Sequence, residues 1–240
     1  KHLLLLLSSF VILHSSFAAS PNVLIILVDD MGYGDPSCFN PQSKITTPNI
    51  DRLAREGMRF TDAHAPGPLC HPSRYGLMTG QHPFRTDVSK WPKQPLIKEG
   101  QPTIASVLKA HGYRTAMVGK WHLGFQESGY DQVLPGGPVD RGFDSFFGFR
   151  ASTDIPPYFY LRGNRAVAPP TDNIAEHHTE GLAKIQGEFW LGGGIAPGLE
   201  LKDVLPRLTD EAIAVIRDHA KSSDAKPLML YFAPTAPHTP

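Results

Sequence analysis

This sequence has few cysteines and no excess of charge of either sign. The chain contains two cysteines, Cys38 and Cys70, which allow at most one disulfide bond. Lysine plus arginine and aspartate plus glutamate number 23 each, so the formal net charge is zero. A balanced charge argues against a polyanionic partner held by bulk attraction, and we expect no nucleic-acid partner. It does not exclude a small anionic substrate, which needs only a local positive cluster.

Long apolar runs are also scarce, and the most apolar segment lies at the start of the sequence. Two basic residues precede the apolar stretches 3–7 and 10–13, and small residues follow at 16 and 18–20. This pattern predicts an export signal over residues 1–20. The stretch is too short and interrupted for a spanning helix, so we expect no stable membrane span, with a single-pass anchor as the alternative. Export places the protein in the periplasm or outside the cell, or in the lysosome of a eukaryote.

The rest of the chain alternates apolar runs with amphipathic segments. This alternation predicts an α/β fold in which helices sandwich a largely parallel central sheet. The first strand is expected at the centre, because a continuous apolar run is typical of strands covered on both faces. The predicted strands are residues 22–28, 113–118 and 228–232, and the predicted helices begin at Thr47–Pro48, Thr103 and near Thr209.

Residues from about 151 to 205 depart from this alternation. The segment is rich in glycine and proline and has weak periodicity, so we predict an irregular insertion beside the substrate. Trp190 within it, and Trp91 before it, are candidates for lining a sugar or aryl subsite, although burial is the more common role of an aromatic ring. His177 and His178 are weaker candidates for a metal contact, because solvent exposure explains them more simply.

Cys70 is followed by Pro72, Ser73 and Arg74. Residues 72–79 predict a helix with proline in its first turn and Gly80 as its end. Cys70 then lies at a helix N-terminus, where free N–H groups and the helix dipole favour an anion, and Arg74 lies one turn later. A disulfide with Cys38 has no need of this surrounding pattern. We therefore interpret Cys70 as functional and Cys38 as a buried or unpaired thiol.

Three further polar clusters follow predicted strands. Asp29 and Asp30 are adjacent carboxylates that suit Ca²⁺ or Mg²⁺, with a solvated turn as the alternative. Lys120 and His122 lie two residues apart in a segment expected to be extended, so their side chains would face the same side. A cation and an imidazole placed together could neutralise an oxyanion and exchange a proton. The alternative is a surface lysine beside a packed loop. His238 follows the last strand. Ligands gather beyond the carboxyl ends of parallel strands, so we predict one site there.

These segments together resemble the type I, formylglycine-dependent sulfatases of the alkaline phosphatase superfamily. The matching stretches are residues 22–30, 70–74, 119–124, 141–149 and 236–240, and they occur in the family's order. The resemblance implies that residues 21–240 are the N-terminal part of the catalytic domain, with an alkaline phosphatase-like fold that is incomplete at the C-terminus. An Asp-Asn or Asp-Gln pair and a further lysine of the family have no counterpart here.

The resemblance also implies a chemistry. Cys70 is expected to be oxidised to formylglycine by a formylglycine-generating enzyme, and the hydrated aldehyde to act as the nucleophile. Asp29, Asp30 and the modified Cys70 are the implied ligands of Ca²⁺, with Mg²⁺ as the second choice. The other implied catalytic and sulfate-binding residues are Arg74, Lys120, His122 and His238, with Ser152 as a support for His122 or the substrate.

The implied activity is hydrolysis of sulfate esters of carbohydrates or aryl alcohols. A sulfated small molecule or glycan is then the expected partner, and these 240 residues alone are expected to be inactive. The nearest alternative is hydrolysis of phosphonate monoesters or phosphodiesters by the same nucleophile. A different class of function is a protein that binds sulfated glycans without turnover.

Overall fold

The computed structural model describes residues 20–92, 94–183 and 186–239. The predicted export signal therefore lies, apart from its last residue, outside the described residues. None of the described helices is long and apolar enough to cross a membrane.

The helices are α1 (Pro48–Glu56), α2 (Cys70–Thr79), α3 (Ile104–Ala110) and α4 (Val204–Lys221). The strands are β1 (Val23–Ile26), β2 (Arg114–Lys120), β3 (Ser145–Phe149), β4 (Tyr160–Arg162), β5 (Arg165–Ala166), β6 (Asp172–Ile174), β7 (His177–His178), β8 (Phe189–Trp190), β9 (Gly193–Ile195) and β10 (Leu228–Ala233).

A six-stranded sheet in the order β1-β10-β2-β3-β4-β5 forms the centre of the fold. The first four strands run parallel, and β4 and β5 are added antiparallel. The register aligns Phe232 of β10 with Ile26 of β1 and with Val118 of β2. The carboxyl ends of these three strands therefore meet at one edge, as the sequence predicted.

Helices cover both faces of this sheet. On one face, residues of β2 and β10 pack with α2 and α3, and on the other they pack with α4. The first cluster includes Tyr75, Met78, Ala105, Met117 and Met229. The second includes Val118, Val204, Leu208, Ala212 and Leu230. This arrangement confirms the predicted α/β sandwich.

Strand β1 lies at an edge of the sheet that the described residues form, whereas the sequence predicted a central position. Val23 and Ile25 pack against the core, whereas Leu24 and Ile26 are each 52% exposed. An apolar run indicates that a strand can be covered on both faces, but it does not say which segments of the chain cover it. The strand is also shorter than the predicted residues 22–28.

Helix ends follow local signals in α3 but not in α4. Thr103 and Ser106 form a reciprocal capping box at the predicted start of α3. Helix α4 begins at Val204, upstream of the predicted start near Thr209. The Thr209 hydroxyl donates to the Leu205 carbonyl within the helix at 2.8 Å instead of capping it.

The segment predicted as an irregular insertion contains the short strands β4 to β9. Strands β4 and β5 extend the central sheet, and the pairs β6–β9 and β7–β8 form two small sheets of their own. Each of these strands has two or three residues, which is too few to show an alternating pattern in the sequence. The prediction of an irregular segment is therefore wrong for these stretches.

A pair of glycines allows the backbones of β2 and β3 to approach each other closely. Gly148 lies opposite Gly119, and a Cβ on Gly148 would stand 1.9 Å from the Gly119 carbonyl oxygen. We expect Gly148→Ala to lower the thermal unfolding midpoint of the full-length protein by several degrees, because backbone must move to admit the methyl group. Gly34→Ala is the control, since its Cβ would only contact the Asn40 side chain at 3.5 Å. Equal midpoints in scanning fluorimetry would contradict this packing.

Candidate active site

The loops that follow β1 and β10 are joined by backbone hydrogen bonds at the carboxyl edge of the sheet. The Asp29 N–H donates to the Ala236 carbonyl at 3.1 Å, and the His238 N–H donates to the Asp29 carbonyl at 2.9 Å. Asp29 also forms an isolated parallel bridge with Pro237. The cluster that contains Asp29 and the cluster that contains His238 are thus held side by side by the backbone, independently of their side chains.

Asp29 is the buried centre of the site. Its carboxylate forms an ion pair with Arg74 at 3.1 Å and a second ion pair with Lys120. Burial by itself would raise the pKa of Asp29, but the charges of Lys120 and Arg74 together lower it below its ordinary value. The carboxylate is therefore ionised and shared by two cations.

Arg74 points into the core instead of lying open to an anion. Its guanidinium donates to the Lys120 carbonyl at 2.7 Å and to Asp29, and it contacts the Tyr231 hydroxyl at 3.5 Å. Among its nitrogens, Nε has no partner within the described residues. Tyr231 was missed by the sequence analysis, because a tyrosine in an apolar strand has the pattern of an ordinary core residue.

Lys120 is fully buried at the end of β2. Its ammonium group donates to the Asp29 carboxylate and to the Ser152 hydroxyl. Ser152 is itself buried in the loop after β3. The structure therefore places Ser152 against Lys120, whereas the resemblance implied contact with His122 or the substrate.

His122 does not continue the extended backbone of β2. Its φ of 59° is in the left-handed region, so the extended geometry from which a shared orientation with Lys120 was predicted is absent. The buried ring lies against Trp91, with centroids 4.5 Å apart, and near His71, at 5.7 Å. Neither ring nitrogen has a partner in the described parts of the chain.

The electrostatic surroundings keep the His122 ring neutral. Burial is the largest cause that lowers its pKa well below the ordinary value, and the charges of Lys120 and Arg74 lower it further. A neutral imidazole has one nitrogen that donates and one that accepts a hydrogen bond. His122 therefore offers an unused buried acceptor beside the two cations.

Cys70 begins α2, and Gly80 ends that helix in the left-handed conformation, as predicted. Cys38 and Cys70 are both free thiols, so the alternative of a disulfide between them is wrong. Burial raises the pKa of the Cys70 thiol, an effect that Lys120 only partly opposes and the Asp29 carboxylate adds to. The unmodified residue is consequently a protonated thiol at neutral pH and a weak nucleophile.

The possible metal ligands differ slightly from the set that the resemblance implied. The ligand atoms of Asp29, Cys70 and His238 all lie within 4.8 Å of one another. Asp30 stands at the rim with its side chain 64% exposed, and its carboxylate is 3.6 Å from the His238 ring. The structure thus brings Asp29 and Cys70 together, adds His238 to them, and leaves Asp30 nearer to solvent.

Comparison with known proteins places this arrangement in a family. The family model described as Sulfatase matches residues 21–240. The chain belongs to the sulfatase family. It is 32% identical to an N-acetylgalactosamine-6-O-sulfatase of Bacteroides thetaiotaomicron, over 92% of this chain and 48% of the relative. It is 36% identical to arylsulfatase A of Bos taurus, over 93% of this chain and 42% of the relative.

A solved structure supports the same assignment. A protein described with the metabolism of multiple glycosaminoglycans by Bacteroides thetaiotaomicron matches with a TM-score of 0.75 and 28% identity. The match covers 93% of this chain and 52% of that protein. The predicted alkaline phosphatase-like fold is confirmed, and this sulfatase chain spans about half the length of the relatives it matches.

The two adjacent aspartates should differ in their contribution to folding. Asp29→Asn leaves Arg74 and Lys120 buried without their counter-ion, and breaking such a buried group costs about 3–5 kcal/mol. Asp30→Asn is the matched control, because Asp30 is exposed. We expect Asp29→Asn to lower the thermal unfolding midpoint of the full-length protein far more than Asp30→Asn does. The measurement is made with a chelator present, so that a bound cation does not contribute, and equal shifts would contradict the buried charge group.

Proposed function

We propose that the full-length protein is an exported hydrolase of sulfate esters and that residues 21–240 supply the nucleophile side of its active site. The observation that supports this most directly is the position of Cys70. It stands at a helix N-terminus within 4.8 Å of the ligand atoms of Asp29 and His238, in a chain of the sulfatase family. The names of the two relatives above specify a sulfated amino sugar and aryl sulfates as their substrates. A sulfated carbohydrate or aryl sulfate is the proposed substrate class.

Conversion of Cys70 to formylglycine is part of the proposal. Burial and the Asp29 charge keep the thiol protonated, which argues against direct attack by a thiolate. A formylglycine-generating enzyme is the required maturation partner. The hydrated aldehyde supplies two hydroxyl groups on one carbon, one to attack sulfur and one to expel sulfate afterwards.

Lys120 is the proposed group that binds the sulfate and assists the leaving oxygen. An ammonium group has three donors, and Asp29 and Ser152 take two of them. The third donor is directed at the Cys70 side chain, which is the position where a sulfate oxygen or the leaving oxygen would be held. His238, beside Cys70, is the other proposed group for binding sulfate and protonating the leaving oxygen.

His122 is the proposed proton acceptor at position 70. Its ring is neutral and buried, and both nitrogens are without partners among the described residues. A general base must be unprotonated at working pH and must reach the proton that it removes. His122 meets the first condition because burial, and then the nearby cations, lower its pKa and disfavour a positive charge.

A divalent cation fits the proposed ligands. Two adjacent carboxylates, Asp29 and Asp30, and an oxygen at position 70 are the hard donors that Ca²⁺ prefers, with Mg²⁺ as the second choice. The Asp29 oxygens keep lone pairs after bonding Arg74 and Lys120, so ion pairing does not exclude coordination. A bound Ca²⁺ would lower the pKa of a hydroxyl group at position 70 and so favour the attacking alkoxide.

Cys70 should be converted and should be essential. We expect tandem mass spectrometry of the full-length protein, expressed with a formylglycine-generating enzyme, to show an aldehyde in place of the Cys70 thiol. Cys70→Ala should lower aryl sulfate turnover by at least about 10³-fold, because the nucleophile is lost. Cys38→Ser is the matched control and should retain conversion and turnover.

Three outcomes would contradict this assignment. An intact thiol, in cells that convert a known sulfatase, would remove the proposed nucleophile. Faster turnover of an aryl phosphodiester than of the matched aryl sulfate would favour the phosphodiesterase alternative. Saturable binding of a sulfated glycan without sulfate release, despite conversion of Cys70, would favour a binding protein.

Removal of the divalent cation should abolish turnover of the converted enzyme. We expect exhaustive chelation to reduce aryl sulfate hydrolysis at least about 100-fold, because the hydroxyl at position 70 then keeps its ordinary pKa. Ca²⁺ should restore the rate, and Mg²⁺ should restore it less well. Turnover that survives verified removal of metal would contradict the role of Asp29 and Asp30 as ligands.

A further inference from the structure

A segment at residues 187–191 crosses between two loops of the site. Its first residue, Gly187, accepts a hydrogen bond from the Thr239 hydroxyl at 2.7 Å. Its last residue, Leu191, donates its N–H to the Asp154 carbonyl at 3.0 Å. The segment, which contains β8, is therefore fixed at both ends.

Both anchor points adjoin residues of the proposed active site. Thr239 directly follows His238, and Asp154 lies two residues after Ser152. A fully extended chain spans at most about 3.6 Å per residue, so the five residues cover no more than about 18 Å. The segment therefore stays close enough to the proposed sulfate-binding groups for one short oligosaccharide to reach both.

Glu188 and Trp190 lie two residues apart on this segment. Together they line a pocket of about 540 Å³. The other lining residues are Ile174, Leu199, Glu200, Leu201 and Lys202. Pockets of a few hundred cubic ångströms with apolar walls and a few polar groups are typical of small-ligand sites.

The Trp190 ring is held in a fixed orientation. It stacks on His177 with centroids 4.4 Å apart, and its Nε1 donates to the Ala175 carbonyl at 2.9 Å. A preoriented indole presents a rigid apolar face at a low cost in conformational entropy. The apolar face of a sugar ring is a good match for such a surface.

The charges around the pocket disfavour a second sulfate. Glu188 and Glu200 are acidic, and Lys202, the one cation among the described lining residues, is paired with Glu200 at 2.8 Å. Carboxylates accept hydrogen bonds from hydroxyl groups and repel anions. The pocket therefore suits an uncharged sugar.

We infer that the Trp190 pocket is a subsite for a neutral sugar linked to the sulfated one. This inference rests on the proposed function and narrows its substrate class to sulfated glycans with a neutral neighbouring residue. Trp190 and Glu188 are specificity-determining residues in it, and the sulfate itself remains with the groups around Lys120.

The test compares a short and an extended substrate in the full-length, converted enzyme. The probes are 4-methylumbelliferyl sulfate and a disaccharide of galactose linked to 6-O-sulfated N-acetylgalactosamine. We expect Trp190→Ala to lower kcat/KM for the disaccharide about tenfold, mainly through KM, and to leave the aryl sulfate within about twofold. Glu188→Gln should give a smaller loss in the same direction, and Trp190→Phe, which keeps an aromatic face, should recover most of the activity.

Other results would overturn the inference. An equal loss on both substrates by Trp190→Ala would indicate a structural role, and no loss on either would remove the subsite. Hydrolysis of the aryl sulfate by an enzyme that neither hydrolyses nor binds the disaccharide would do the same, while leaving the proposed function intact.

The subsite is also tested when the enzyme hydrolyses neither substrate. In that case the affinity of full-length Cys70→Ala for the disaccharide, measured by calorimetry, tests the subsite. Binding that weakens about tenfold when Trp190→Ala is added supports the subsite even though the sulfatase proposal has failed. Binding that does not change, or is absent, overturns it.

Discussion

The rest of the site depends on one buried charge group, in which the Asp29 carboxylate lies between Arg74 and Lys120. Removing three charges from water costs several kcal/mol per ion, and only close pairing offsets that cost. Each charge comes from a different element: the loop after β1, helix α2 and the end of β2. The pairing therefore holds these elements in one relative position, and Cys70, one turn before Arg74, is placed by the same constraint.

This group contains two cations and one carboxylate, so it leaves an excess of positive charge in the core. That excess attracts an anion, and it adds to the effect of burial in lowering the pKa of His122. A divalent cation beside the same group needs further negative charge. Asp30, exposed at the rim and not engaged by either cation, is the carboxylate that can supply it.

Local signals in the sequence predicted much of the fold and most members of the site. The capping box at Thr103, the terminal Gly80 and the apolar runs of β2 and β10 each act over a few residues. The edge position of β1, the start of α4 and the pairing of β4 to β9 depend on contacts distant in sequence, so short windows did not show them. The same holds in the site, where the motif indicated Lys120 and Ser152, but their contact joins the end of β2 to the loop after β3.

The groups that hold the segment 187–191 in place differ from the side chains that are proposed to contact the sugar. Its hydrogen bonds to Thr239 and Asp154 use the backbone of Gly187 and Leu191, not their side chains. Changes at Glu188 or Trp190 therefore leave both anchors in place. In the proposed function, groups fixed to the sheet bind the sulfate, and side chains on a segment between two loops bind the neighbouring sugar. Among the described residues no hydrogen bond joins Glu188 or Trp190 to Asp29, Arg74 or Lys120, so a change in the sugar contacts is expected to leave the sulfate-binding groups in place.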